Sequence, residues 1–142
     1  MLRNIDPILS PDLLRALRAM GHGDEIVLVD ANYPAESSKP NCIRADGSDN
    51  SEMLRAVLSV MPLDTYVPDP AVCMQIVDDP NTVPDAVQEF QIVIDDAADA
   101  PAKIQSIERF AFYERASTAF AVVQTGEKRL YGNIILKKGV IS

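Results

Sequence analysis

Glu25 to Val29 read EIVLV, with four successive apolar side chains of which three are β-branched. Neither an amphipathic helix nor a half-solvated strand has apolar residues at every position. A short run of this kind marks a strand covered on both faces. Such a strand needs further layers above and below it.

Those layers are legible on either side. Ser10-Pro11-Asp12 has the form of a helix start, with Ser10 as N-cap and Pro11 at the first helical position. Leu13, Leu14, Leu17 and Met20 follow at helical spacing, and Gly21 is placed to end the helix in a left-handed conformation. After EIVLV comes Asp30 and a loop, ANYPAESSKP; a second strand is expected over Cys42–Ala45. Asp49 and Glu52 have capping-box spacing ahead of a helix carrying Met53, Leu54, Val57, Leu58 and Met61. Further expectations are a strand over Ala71–Val77, a helix from Pro84 to Asp95, a strand over Ile104–Glu108 and a helical patch over Phe112–Ser117. Two strands close the chain, Ala119–Gln124 and Asn133–Lys137, joined by TGEKRLYG. That link is too short for a crossover helix, so the two are expected to form an antiparallel pair in an otherwise parallel sheet.

The expected fold is therefore α/β: a single layered domain over residues 1–142, with a mixed, mostly parallel sheet flanked by helices. No repeat, linker or low-complexity tract divides the chain. In such sheets ligands gather at loops beyond strand ends, which draws attention to Asp30.

Composition excludes several functions. A net charge of −8, with scattered basic residues, argues against a partner held through phosphates, so nucleic acid is not expected. No apolar run approaches the roughly 20 residues that span a bilayer, and MLRNIDPILSPDLL has acids and prolines where a secretory signal would be apolar. A cytoplasmic protein without membrane contact is the expectation. Cys42 and Cys73 lie among apolar neighbours, without CxxC spacing, and read as buried reduced thiols. With one histidine, any metal site would have to be rich in carboxylates, and no spacing recommends one; neither metal nor cofactor is expected. Walker A, G-x-G-x-x-G and G-x-S-x-G patterns are all missing.

His22 is the only histidine and sits between glycines in MGHGDE. An isolated histidine is commonly a surface or capping residue, but an unperturbed pKa of about 6.5 suits it to proton transfer. Asp30 lies eight residues on, across one strand. A strand of five or six residues spans roughly 17–20 Å, so within one copy the two stand at opposite ends unless the chain folds back. A site assembled between subunits would remove that difficulty. Arg109 follows an expected strand, while Arg129, Tyr131 and Asn133 surround the last turn. Taken singly, each reads equally well as a solvated or packing residue.

Four ordered blocks resemble the fucose mutarotase and ribose pyranase family: MGHGDEIVLVDANYP, IRADG at 43–47, ERFAFYERA at 108–116 and TGEKRLYGNIILKKG at 125–139. The resemblance covers almost the whole chain. It implies a mixed-sheet α/β subunit assembling into a ring, commonly a decamer of two stacked pentamers, with sites between neighbouring subunits. It implies His22 as general acid, with Asp30, Arg109, Tyr131 and Asn133 as sugar-contacting residues and Gly132 contributing backbone. Ribose-type members carry a second histidine where this chain has Arg109, which tilts the resemblance toward L-fucose; residues 32–33 and 36–38 depart from several fucose-type sequences. The implied reaction is acid–base ring opening and reclosure of a monosaccharide, interconverting its α and β anomers. Pyranose–furanose conversion of D-ribose, a sugar-binding protein without catalysis and a structural ring subunit are the rival readings.

Overall fold

The computed structural model describes residues 1–38 and 40–142; Lys39, in the expected ANYPAESSKP loop, lies outside them. The elements in chain order are α1 (Pro11–Ala19), β1 (Glu25–Val29), β2 (Asn41–Ala45), α2 (Asn50–Leu58), β3 (Ala71–Met74), α3 (Asp85–Ala97), β4 (Gln105–Ile107), α4 (Arg109–Ala116), β5 (Ala121–Thr125) and β6 (Ile134–Lys137). One sheet orders its strands β2-β5-β1-β6-β3-β4. β2 with β5, β5 with β1, and β3 with β4 run parallel, and β6 runs against both neighbours, β1 and β3. The expected mixed, mostly parallel α/β sheet is present.

β1 is covered on both faces. Ile26 and Leu28 join the larger core formed with α1, α2 and α3, whereas Val27 and Val29 join a smaller core with Phe112, Ala116 and Tyr33. β6 divides in the same way, with Ile134 and Leu136 on one side and Ile135 on the other. Burying these side chains, at about 1.5–3 kcal/mol each, makes the centre of the sheet a main source of the fold's stability.

The helix starts are local chemistry. Ser10 Oγ accepts from Leu13 N at 3.2 Å with Pro11 in the first turn, and Asp49 Oδ1 accepts from Glu52 N at 2.8 Å. At α4 the side chain of Glu108, expected to close a strand, instead caps a helix, accepting from Phe110 N and Ala111 N. The helix thus begins at Arg109 rather than near Phe112.

Three further expectations need correction. Gly21 is not the left-handed residue: α1 stops at Met20, whose ψ of 139° turns the chain outward while its side chain stays buried, and positive φ falls on Gly23. β3 ends at Met74 and does not reach Val77. The last two strands run in opposite directions, yet they do not pair, because β1 lies between them. The end of β5 and the link after it are tied to the end of β1: Thr125 Oγ1 donates to Val29 O at 2.8 Å, Gln124 Nε2 to Asp30 O at 2.7 Å, and Ala31 N to Glu127 O at 2.9 Å. Neighbouring strands stand about 4.8 Å apart, so bridging two intervals takes roughly 10 Å, beyond a tight hairpin but within reach of TGEKRLYG.

Cys42 and Cys73 are both free thiols, but only Cys73 is buried as expected; Cys42, on the edge strand β2, is half-exposed, and burial pushes the Cys73 thiol up to about 11. Among the described residues no helix is long and apolar enough to cross a membrane.

Candidate active site

At the carboxyl ends of the parallel strands, Asp30 follows directly on β1 and Asn133 directly precedes β6. Because β1 and β6 are antiparallel neighbours, with Leu28 opposite Ile134, the two residues just past the paired ends lie within one step of each other. Asp30 N donates to Asn133 Oδ1 at 2.9 Å, and Asn133 Nδ2 donates to Asp30 Oδ2 at 3.0 Å. The reciprocal pair fixes which end of the Asn133 amide is oxygen. Asp30 Oδ1 accepts from Asn32 N at 2.9 Å. Both side chains are buried. Desolvation pushes the Asp30 carboxyl above its usual range, opposed by the bonds from Asn32 and Asn133.

The turn that leads into β6 carries the other expected residues. Tyr131 adopts φ 59°, in the left-handed region that non-glycine residues enter at a cost, and its Oη accepts from Val77 N at 3.3 Å. Gly132 follows in a space without room for a side chain: a Cβ would stand 2.7 Å from Glu127 Cγ. Arg109 lies at the same end of the sheet, as the first residue of α4. Its Nε is buried with no hydrogen-bond partner among the described residues, and its guanidinium carbon stands 4.7 Å from the centre of the Phe110 ring. An open cleft of about 370 Å³ lies between Arg109, Phe110 and the loop that includes Val77 and Asp78. Val77 therefore joins the Arg109 cleft to Tyr131.

His22 is elsewhere. It lies before β1, at the amino ends of the parallel strands, with its side chain 46% exposed. Its Nε2 is 3.2 Å from Asp64 Oδ1, and its ring centre lies 5.6 Å from that of Tyr66. Asp64 is buried, and its Oδ1 also accepts from Tyr66 N at 3.0 Å. That backbone bond, followed by the imidazole, holds the Asp64 carboxyl below its usual range. An imidazole bonded to a buried carboxylate through one nitrogen has that nitrogen's role fixed, which leaves Nδ1 for other work.

Within one copy, then, the expected residues divide into two groups. Asp30, Arg109, Tyr131, Gly132 and Asn133 share one end of the sheet, and His22 stands at the other. The five residues of β1 alone separate them by about 17 Å. The fold-back that would have joined them within one chain does not occur.

Sequence reasoning missed three residues that structure brings to these ends. Asp64 reaches His22 across 42 positions because Leu63 bridges Lys138, and no local pattern signals that contact. Glu127 lies inside the TGEKRLYG block; its carboxylate accepts from Arg129 N at 2.9 Å and from Arg129 Nη2 at 2.8 Å, which brings it down to about 2. Asn50 was hidden behind its neighbour Asp49, the residue that gives the capping signal.

The sequence profile of the RbsD / FucU transport protein family matches residues 3–141. The chain belongs to the RbsD/FucU family. The solved fucose mutarotase from Streptococcus pneumoniae, in complex with L-fucose, is 44% identical, with a TM-score of 0.92 over 99% of this chain and 100% of that one. FucU from Bifidobacterium longum is 42% identical, with a TM-score of 0.90 over 99% of this chain and 100% of that one. Bacillus subtilis RbsD, complexed with D-ribose, shares the fold at 19% identity, with a TM-score of 0.75 over the full length of both chains. In this RbsD/FucU chain no three His, Cys, Asp or Glu side chains cluster as metal ligands among the described residues.

Proposed function

We propose that the chain is a monosaccharide isomerase that interconverts the α and β anomers of L-fucose. The observation that carries this reading is the 44% identity, end to end, with a fucose mutarotase that holds L-fucose. The chemistry available at the two sheet ends supports it.

Anomer exchange requires a proton delivered to the ring oxygen and another removed from the anomeric hydroxyl. His22 is the proton carrier in this reading, with Asp64 orienting its imidazole. Asp30 and Asn133 together offer a hydroxyl both an acceptor and a donor, already aligned on each other. Charge-assisted bonds of this kind are roughly twice as strong as neutral ones. Arg109 supplies a rigid fork of donors for vicinal hydroxyls, Tyr131 a phenol, and Gly132 its backbone. No redox step or phosphate is involved, so the reaction calls for no cofactor. Positioned acid–base groups contribute typically about 10²–10⁴-fold, enough for a reaction that sugars undergo unaided.

The separation of His22 from Asp30 supports a site shared between copies, in which the His22 end of one subunit meets the Asp30 end of another. We take the assembly to be a homo-oligomeric ring, a decamer of two stacked pentamers, at work in the cytoplasm.

The test is NMR saturation exchange between the anomers of L-fucose, with D-ribose as a parallel substrate. The wild-type chain should accelerate exchange of L-fucose anomers. His22→Gln should return the rate to that of buffer while the assembly stays intact. A fully active His22→Gln variant would remove the imidazole from the mechanism, and acceleration with D-ribose alone would replace the assigned sugar.

A further inference from the structure

The turn that carries Tyr131, Gly132 and Asn133 does not stand by itself. Asn50, the first residue of α2, is completely buried, and its Nδ2 donates to Gly132 O at 2.6 Å. Its Oδ1 has no hydrogen-bond partner among the described residues. A buried amide with one end unsatisfied is a net cost to the fold. Nor is its side chain needed as a helix cap, since Asp49 already performs that role. What the side chain does is hold one carbonyl.

Glu127 completes the support. It is 3% exposed, and its Cγ lies directly beneath Gly132. Oε1 accepts from Arg129 N and from Arg129 Nε at 3.0 Å, and Oε2 accepts from Arg129 Nη2 and, at 3.4 Å, from Asn50 N. Its backbone carbonyl accepts from Ala31 N, immediately after Asp30. One residue therefore touches the floor of the turn, the helix that holds the turn's carbonyl, and the segment bearing Asp30.

We propose that Asn50 and Glu127 are positioning residues for sugar recognition, clamping the Gly132 peptide so that Asn133 stays aligned on Asp30. The proposal rests on the sugar-binding reading above. The link to recognition is the backbone. Tyr131 at φ 59° is held in a conformation it would leave if free, and what opposes its relaxation is the Asn50 bond to Gly132 O together with the packing of Glu127 Cγ under Gly132. If Gly132 rotates, the Asn133 amide leaves the Asp30 carboxylate.

Two variants test this, Asn50→Ala and Glu127→Gln. Glutamine cannot reproduce the arrangement, because both oxygens of Glu127 face donors and its amide nitrogen would oppose Arg129 or Asn50 N. Val57→Ala, in the core on the same helix α2, serves as a control for lost stability without lost alignment. Anomer exchange measured against L-fucose concentration gives KM and kcat, and hydrogen exchange followed by mass spectrometry reports on residues 29–33, which include the Asp30 amide. In both variants KM should rise about tenfold with kcat within about twofold, and protection of the Asp30 segment should fall about tenfold, the size expected of one buried hydrogen bond. Val57→Ala should show neither change. Unchanged KM and protection in the two variants would overturn the proposal, as would equal changes in the control. Should Asn50→Ala fail to fold, Glu127→Gln decides alone. Wild-type protein inert toward both L-fucose and D-ribose would strike the functional reading; the exchange data would still decide whether the clamp aligns Asp30, and unaltered protection would refute it.

Discussion

Asn133→Asp is a near-isosteric change whose cost follows from one distance. The introduced carboxylate can still accept from Asp30 N, but an oxygen replaces Nδ2 at 3.0 Å from Asp30 Oδ2. Two full charges at that separation repel by about 5 kcal/mol at an effective dielectric constant of about 20. The folded protein trades that repulsion for the somewhat smaller cost of binding one proton between the two carboxylates, which the unfolded chain, with carboxyl pKa values near 4, does not bind at neutral pH. Taking up that proton at pH 7 costs about 4 kcal/mol, roughly 1.4 kcal/mol for each pH unit above 4. The folded state then holds more protons than the unfolded one, so stability rises as pH falls, and the direction agrees with the already raised Asp30 carboxyl. Urea unfolding at fixed protein concentration, from pH 7.5 to 4.5, should show Asn133→Asp about 4 kcal/mol less stable than wild type at pH 7, with most of the gap closed by pH 4.5. A gap that stays constant across this range would refute the close pairing of Asp30 with Asn133.

Gly126→Ala should be severely destabilising, by about 3 kcal/mol or more, because the added Cβ meets the backbone carbonyl oxygen of Asp46, which cannot step aside as a side chain would; thermal unfolding at fixed concentration measures it. Glu127, with its carboxyl brought down to about 2 from an ordinary 4.5, stabilises the fold fully above about pH 4.5. That contribution should be lost as pH falls toward 2, and acid titration followed by circular dichroism should show Glu127→Gln less stable than wild type near neutrality and the difference shrinking in acid.

The parts of the fold that could be read from sequence are those fixed by neighbours in the chain. EIVLV declared its burial because four successive positions, Ile26 to Val29, are apolar, and Ser10 and Asp49 announced their helices because a cap and its partner lie three residues apart. The order of the central strands had no such signal. It depends on Thr125, Gln124 and Glu127 bonding across the end of β1, about 95 residues away. Glu108 misled for a related reason: its carboxylate could end a strand or start a helix, and tertiary packing of Phe112 decides for the helix. Of the candidate residues, Asp30 and Asn133 are joined through the pairing of β1 with β6, beside Tyr131 and Gly132, whereas Asp64 and Asn50 make contacts 42 and 82 positions distant. Such contacts leave no trace in local spacing.

The position of β1 has a consequence for how the molecule forms. Its two hydrogen-bonding neighbours are drawn from residues 121–125 and 134–137, so the most apolar strand is synthesised early and meets its partners last. Local helices can form meanwhile, but the sheet cannot close around its centre until nearly the whole chain has left the ribosome. Pairings this distant close slowly and leave an adhesive strand uncovered on the way. Truncation anywhere before residue 134 should therefore yield an aggregating fragment rather than a smaller folded protein.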